Sequence, residues 1–426
     1  MSIPQPLETP QSSYDGCPIV PSSVIDEDGP RVAIYTKEFA ADPQRVYLEL
    51  RARYGSLAPV EIAPGVPATL VVTYEAAKRI LHDPEHFPAD PRMWEANVPL
   101  DCPVRPMLQW RPNALRNSGI AHTRLRAANT FAINGIDLHG AQSLVEKVAV
   151  PLINAFCIDG HADLLEQFVH PLVFEVLNTL VGCSADIGAR VAQGMAAVFD
   201  TSADAEQGNA ILESALYEQT VHRIAEPGND ITTRMIAHSA NLTEEEVIHQ
   251  LVVIYGAGIE PTVNLILNTL RLMLTDDRFG GEMVGGSLST VDALEELLFT
   301  DPPLANFCFS YPRQPILIDG VWLPAHQPVL ISMSACNNDP AVHTAVHSGG
   351  FTANRSHLAW GAGPHSCPAK DISSTIARVA IDQLLDALPD IELAVSVEDL
   401  QWRSGPYHRS LAGLPVTFAP APPMTV

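Results

Sequence analysis

The feature that most constrains this chain is a long run of helically spaced apolar residues, from Glu244 to Thr275, whose middle reads GAGIEPT. Such a run belongs inside a core rather than on a surface. Yet Gly256, Gly258 and Pro261 all weaken a helix, the glycines by their conformational freedom and the proline by its missing N–H. The pattern predicts a central buried helix with a distortion at Pro261.

Other helical patterns surround it. DPQRVYLELRARYG, TYEAAKRILHD, IAHTRLRAANTF, AQSLVEKVAVPLINAFC, LVFEVLNTLVG, VDALEELLF and ISSTIARVAIDQLLDAL each place apolar residues three to four apart. Strand-like pieces are few: PVEIA, ATLVVT and PILIDGVWLPAHQPVLIS, where Asp319 and Gly320 supply a hairpin turn. The fold class is therefore mainly α with a minor β-sheet region. No repeat or linker divides the chain, so residues 36–426 read as a single domain behind a polar N-terminal extension, 1–35. The Pro-rich stretch 91–112, with Trp94, Met107 and Trp110, suits either a loop over an apolar site or an ordinary surface loop.

A net charge of -24 argues against nucleic-acid or anionic-membrane partners, which need concentrated basic surface. The first twenty residues hold no basic segment followed by an apolar one, and no window gives about 18 uninterrupted apolar residues, so a cytoplasmic location is expected. Seven scattered cysteines with no Cys-x-x-Cys exclude a disulfide framework or structural zinc as the expectation.

One cysteine has a context. In HLAWGAGPHSCPAKD, Cys367 follows a glycine-rich turn (Gly361, Gly363) and precedes an amphipathic helix, whose N-terminal N–H groups favour a thiolate. The stretch resembles the heme-ligating signature of the cytochrome P450 family, with Trp360 at its Phe position and Gly363, His365 and Cys367 matching; Ala369 replaces its last glycine. Further segments resemble the family in order: HTRLR its His-x-x-x-Arg helix, GAGIEPT its Ala-Gly-x-Glu-Thr-Thr segment, LEELLF its Glu-x-x-Arg helix, and FTANR its Phe-x-x-x-Arg meander.

The resemblance implies a P450 fold with heme b (iron protoporphyrin IX) between the long helix and the Cys-ligand loop. Cys367 would be the metal ligand, its electron donation favouring O–O bond cleavage. His122, Arg126 and His365 would hold the heme propionates, with Arg313 a further candidate; His357 is either packing or a polar contact at the heme edge. Ala257, Glu260 and Thr262 would be catalytic, the acid and alcohol managing protons where dioxygen is reduced.

Three departures stand out. Phe299 occupies the arginine position of Glu-x-x-Arg, so Glu296 is expected to pair directly with Arg355 while Phe299 fills the vacated volume. Pro261 takes the place of the usual alcohol and shifts it to Thr262, about 100° around an ideal helix. Pro368 removes an N–H that would otherwise donate to the Cys367 sulfur. These traits resemble an actinobacterial subgroup of soluble bacterial P450s.

The resemblance implies an oxidoreductase of secondary metabolism: a monooxygenase acting on a small, aromatic molecule with dioxygen and a ferredoxin-type redox partner. Arg111, Arg116, Arg124 and Arg126 form either a docking patch for that donor or an ordinary solvated face. Oxidative C–C or C–N coupling of an aromatic substrate such as a cyclic dipeptide is an alternative raised by the displaced alcohol, and a non-oxygenase heme protein is another. Specificity is expected to lie in the 91–112 loop, in 184–230, and near Val253 and Ala257.

Overall fold

The computed structural model describes residues 22–23, 31–199, 205–279, 288–343 and 355–425. Its centre is the helix Glu244–Thr275, which starts at a capping box: Thr243 accepts from the Glu246 N–H while the Glu246 carboxylate accepts from the Thr243 N–H. Every residue from Thr262 to Leu270 is buried. Helices His170–Val181, Ala205–Ala225, Thr290–Thr300 and Lys370–Ala387 pack around it and share one hydrophobic core with it. By length and composition this helix is apolar enough to cross a membrane, but 61% of its most apolar window is buried inside the protein.

The helix runs unbroken through Pro261, so the expected distortion does not interrupt it. Its buried surroundings hold the backbone helical at the position where one i→i−4 bond is absent. The other helices read from periodicity are all present, and Ala185–Phe199 and Ala205–Ala225 are added to them.

A second body of apolar residues surrounds a five-stranded sheet ordered Val32–Ala33, Leu57–Ala63, Val66–Val71, Val329–Ser332, Asn306–Ser310. Val32–Ala33 pairs with Leu57–Ala63 and Ile34 is fully buried, so the folded unit begins before residue 36; most of the assigned extension lies outside the described residues. Ile316–Ile318 and Val321–Leu323 form the hairpin read from the sequence, with Asp319 and Gly320 at φ 48° and 81°, as a primed turn requires. The 91–112 stretch contains short helices, Arg92–Glu95 and Arg105–Leu108, and buries Trp94 against Tyr311 with ring centroids 5.9 Å apart. It packs on the sheet.

Glu296 does not meet Arg355. It accepts from Arg278 at 2.7 Å, whereas the largely exposed Arg355 lies 3.7 Å from Glu295. Phe351 of the FTANR motif is outside the described residues. The vacated volume is filled as expected, Phe299 being 1% exposed. Phe299→Arg would put a cation into a filled site whose nearest acid is already engaged. It should destabilise the fold by about 3 kcal/mol or more, seen as a lower Tm.

The loop before Lys370–Ala387 is pinned to the sheet side. Gly363 has φ 67°, and a Cβ there would overlap the Leu81 carbonyl oxygen at the end of helix Tyr74–Leu81. Gly65, at φ 70°, has open space around the same position. Gly65→Ala should therefore cost only the backbone strain, about 1–2 kcal/mol, and Gly363→Ala distinctly more; equal losses in Tm would show that the Leu81 contact does not constrain the loop.

Candidate active site

Cys367 sits where the pinned loop meets the helix start. The Gly363–His365 turn closes through Ser366 N–H to Gly363 O at 3.1 Å, and the Cys367 N–H donates to Trp360 O at 2.7 Å. Although Pro368 gives no donor, the Ala369 N–H reaches the Cys367 sulfur at 3.4 Å. Burial nevertheless raises the thiol's pKa; the Ala369 N–H and the Arg126 charge only partly oppose it. Desolvation thus works against the thiolate that the helix terminus favours, and a metal cation bound to the sulfur would favour it.

Facing Cys367 is the long helix. Val253, Ile254, Ala257, Gly258, Pro261 and Thr262 line the same cavity as Trp360, Gly361, His365 and Cys367. These helix positions repeat every four residues, so Thr262 lies only about 40° from Gly258 on an ideal helix. It reaches the cavity wall without the helix being broken. The missing Cβ of Gly258 faces the Leu177 side chain, with Cδ2 at 3.0 Å from the Cβ position, so this glycine serves helix packing.

The space measures about 1510 Å³ with its open side included. Apart from Arg126 and His365, its wall is almost wholly uncharged and apolar, with Val173, Leu177, Leu180, Ile231, Leu298 and Met333 among its side chains. None of the described residues in 91–112 or 184–230 lines it. Cys308 does, at a register shift in the strand Asn306–Ser310, with φ 53°. No sequence signal marks this residue, because the bulge exists only through pairing with Val329–Ser332.

At one edge His122 and His365 stack with ring centroids 4.1 Å apart. Burial, then the neighbouring charge of Arg126, lowers the pKa of His122; burial followed by His122 and Arg126 pushes His365 down to about 3. The Nε2 of His122 is buried and without a hydrogen-bond partner. Arg126 donates to Thr130 Oγ1 and Ser366 O, and no carboxylate pairs with it among the described residues. Two imidazoles and a guanidinium without a carboxylate partner form a polar edge suited to an anion.

The remaining candidates lie elsewhere. Glu260 turns from the cavity to Arg403, Ser410 (3.1 Å) and Asn264 (3.3 Å). Arg313 is exposed and away from the cavity wall. His357 is buried near Glu295 at 3.8 Å, a packing position, its pKa pushed down by burial to about 4. The four arginines do not make a docking patch: Arg111 pairs with Glu213, Arg124 with Glu246, Arg126 lines the cavity and Arg116 is 4% exposed.

These residues fit heme. A planar apolar macrocycle matches the uncharged walls, its propionates would meet Arg126, His122 and His365, and its iron would meet Cys367.

No protein-family model matches the chain. Its similarity to individual proteins is extensive. Cytochrome P450 monooxygenase PikC of Streptomyces venezuelae is 30% identical over 397 residues, 90% of this chain and 92% of that one. 6-Deoxyerythronolide B hydroxylase of Saccharopolyspora erythraea is 26% identical, with 89% and 96% covered. The solved structure of CYP154A1 from Streptomyces coelicolor A3(2) superposes with a TM-score of 0.78 at 25% identity, covering 91% of this chain and all of that one. With nine tenths of the sequence matched and the thiol and donor set in place at one cavity, the chain belongs to the cytochrome P450 family and is a heme b monooxygenase of the bacterial, secondary-metabolic kind.

Proposed function

We propose that this P450 hydroxylates a neutral, largely apolar secondary metabolite in the cytoplasm, with electrons from a ferredoxin. The observation that carries the reading is the placement of Thr262 on the cavity face shared by Ala257 and Gly258. When bound, heme b supplies the redox chemistry that reduces dioxygen and places one of its oxygen atoms in a C–H bond. The chain supplies the geometry. Thr262 brings a hydroxyl to the cavity wall, able to hold a proton or a water there. Pro261 has no N–H to give, so the Ala257 carbonyl lacks its helical partner and offers an acceptor one turn away. Together they restore a proton-handling pair despite the displaced alcohol, which removes the motive for substrate-assisted coupling chemistry.

The wall shapes the substrate. Ala, Val, Leu, Ile, Pro and Met side chains dominate it, and the charged groups are confined to the edge that suits the heme propionates. A substrate carboxylate or ammonium placed elsewhere would be desolvated without a partner, at a cost of several kcal/mol. Aliphatic walls accept aliphatic skeletons as readily as aromatic ones. Relatives bear both kinds of name, 6-deoxyerythronolide B hydroxylase and 2-hydroxy-5-methyl-1-naphthoate 7-hydroxylase of Streptomyces carzinostaticus.

Thr262→Ala should leave the heme spectrum unchanged while product per electron consumed falls by about 10-fold or more and peroxide release rises. Unchanged product yield would remove Thr262, and this reading, from proton handling. In spin-state titrations, a neutral ligand should bind at least about 10-fold more tightly than its carboxylated analogue; the reverse order would locate a cation in the pocket and overturn the neutral-substrate reading.

A further inference from the structure

One buried cation has no role in the reading so far. Arg116 lies in the turn before helix Gly119–Asn134 and is 4% exposed. Its backbone N–H donates to Asn113 Oδ1 at 3.0 Å, one Nη donates to Met107 O at 2.7 Å, and the guanidinium lies over the Phe307 ring, 5.9 Å from its centroid. No carboxylate lies within ion-pair distance of it among the described residues. Arginine is almost never fully buried without a charged partner. This chain has 49 acidic residues against 25 basic ones, so a partner was easily supplied.

Its neighbours point the same way. The hydroxyls of Tyr311 and Tyr407, which face the Arg116 charge, are buried without hydrogen-bond partners, as is Nε2 of His122. The charge of Arg116 also reaches His365, alongside that of Arg126. Phe307, beneath the guanidinium, lines the cavity itself. Buried polar groups from separate segments thus lie within electrostatic reach of one another, and apart from the Met107 carbonyl the Arg116 guanidinium has no hydrogen-bond acceptor among the described residues.

We propose that Arg116 is the cation that holds a heme propionate at this edge, the place the sequence resemblance gave to Arg313. One propionate would be shared by Arg116 and the His122–His365 pair and the other held by Arg126, with the tyrosine hydroxyls donating to the carboxylate on the Arg116 side. The inference rests on the heme b reading.

The opposite sign of two effects separates this role from that of a structural strut. Arg116→Met should speed heme transfer to excess apomyoglobin by about 10-fold or more. It should leave the Tm of the heme-free protein unchanged or raise it, because an unpaired buried charge is removed. Arg116→Lys, which keeps the charge with fewer donors, should fall between, and Arg313→Ala should lose heme at the wild-type rate. Reconstitution with heme dimethyl ester, which has no carboxylates, should abolish the difference between wild type and Arg116→Met. Wild-type heme retention in Arg116→Met, parallel losses of Tm in heme-free and heme-bound protein, or a difference that persists with the ester would each overturn the proposal. A wild-type protein without a thiolate-type Soret band would instead remove the heme reading, and the proposal with it.

Discussion

The cavity's positive edge, left without counter-charge, is the constraint around which the site is organised. Acids are plentiful, and several arginines outside the cavity receive them: Arg111 has Glu213, Arg124 has Glu246, Arg278 has Glu296 and Arg403 has Glu260. Arg126 receives only a hydroxyl and a carbonyl. The contrast is sharpest along one helix. Arg124 and Arg126 are two residues apart, hence about 200° around an ideal helix. One ties Gly119–Asn134 to the start of the long helix, and the other turns into the cavity. Burial of uncompensated cations is costly, and a dianionic apolar ligand would supply this edge with counter-charge.

The thiol obeys the same logic with the opposite charge. Burial raises the pKa of the Cys367 thiol, and a cation bound beside it would oppose that. A ligand with a positive metal at its centre and carboxylates at its rim answers both demands at once. The geometry depends on Gly363: its positive φ and its closeness to Leu81 allow the loop to lie flat enough for Cys367 to face the long helix.

What was legible in the sequence was local. Gly361, Gly363, His365 and Cys367 fall within seven residues, and His122 and Arg126 share one helix at i, i+4. Chain geometry alone therefore keeps each set together. The Asp319–Gly320 turn and the amphipathic helices were readable for the same reason. What failed depended on distant partners. Glu296 was matched to Arg355 by motif order, yet the fold brings it Arg278, which lies before it in the chain. Arg313, a candidate by resemblance alone, lies beyond the strand Asn306–Ser310, whose register shifts between Phe307 and Ser310. The run Arg111, Arg116, Arg124 and Arg126 looked like a patch because linear closeness hides the directions in which a turn and a helix send their side chains.

The long helix shows how a local departure and a tertiary compensation fit together. Pro261 displaces the family's alcohol by one residue, and on sequence grounds that looked disabling. A cavity wall is a face and not a line, however, and positions 257, 258, 261 and 262 all belong to one face. The price falls on Glu260, the position between them. It points away, where the C-terminal segment meets it with Arg403 and Ser410. An acid so engaged is a tether for the 401–411 segment rather than a group at the cavity wall. On the proposed reading, proton handling on this face is thereby left to Thr262 and the Ala257 carbonyl.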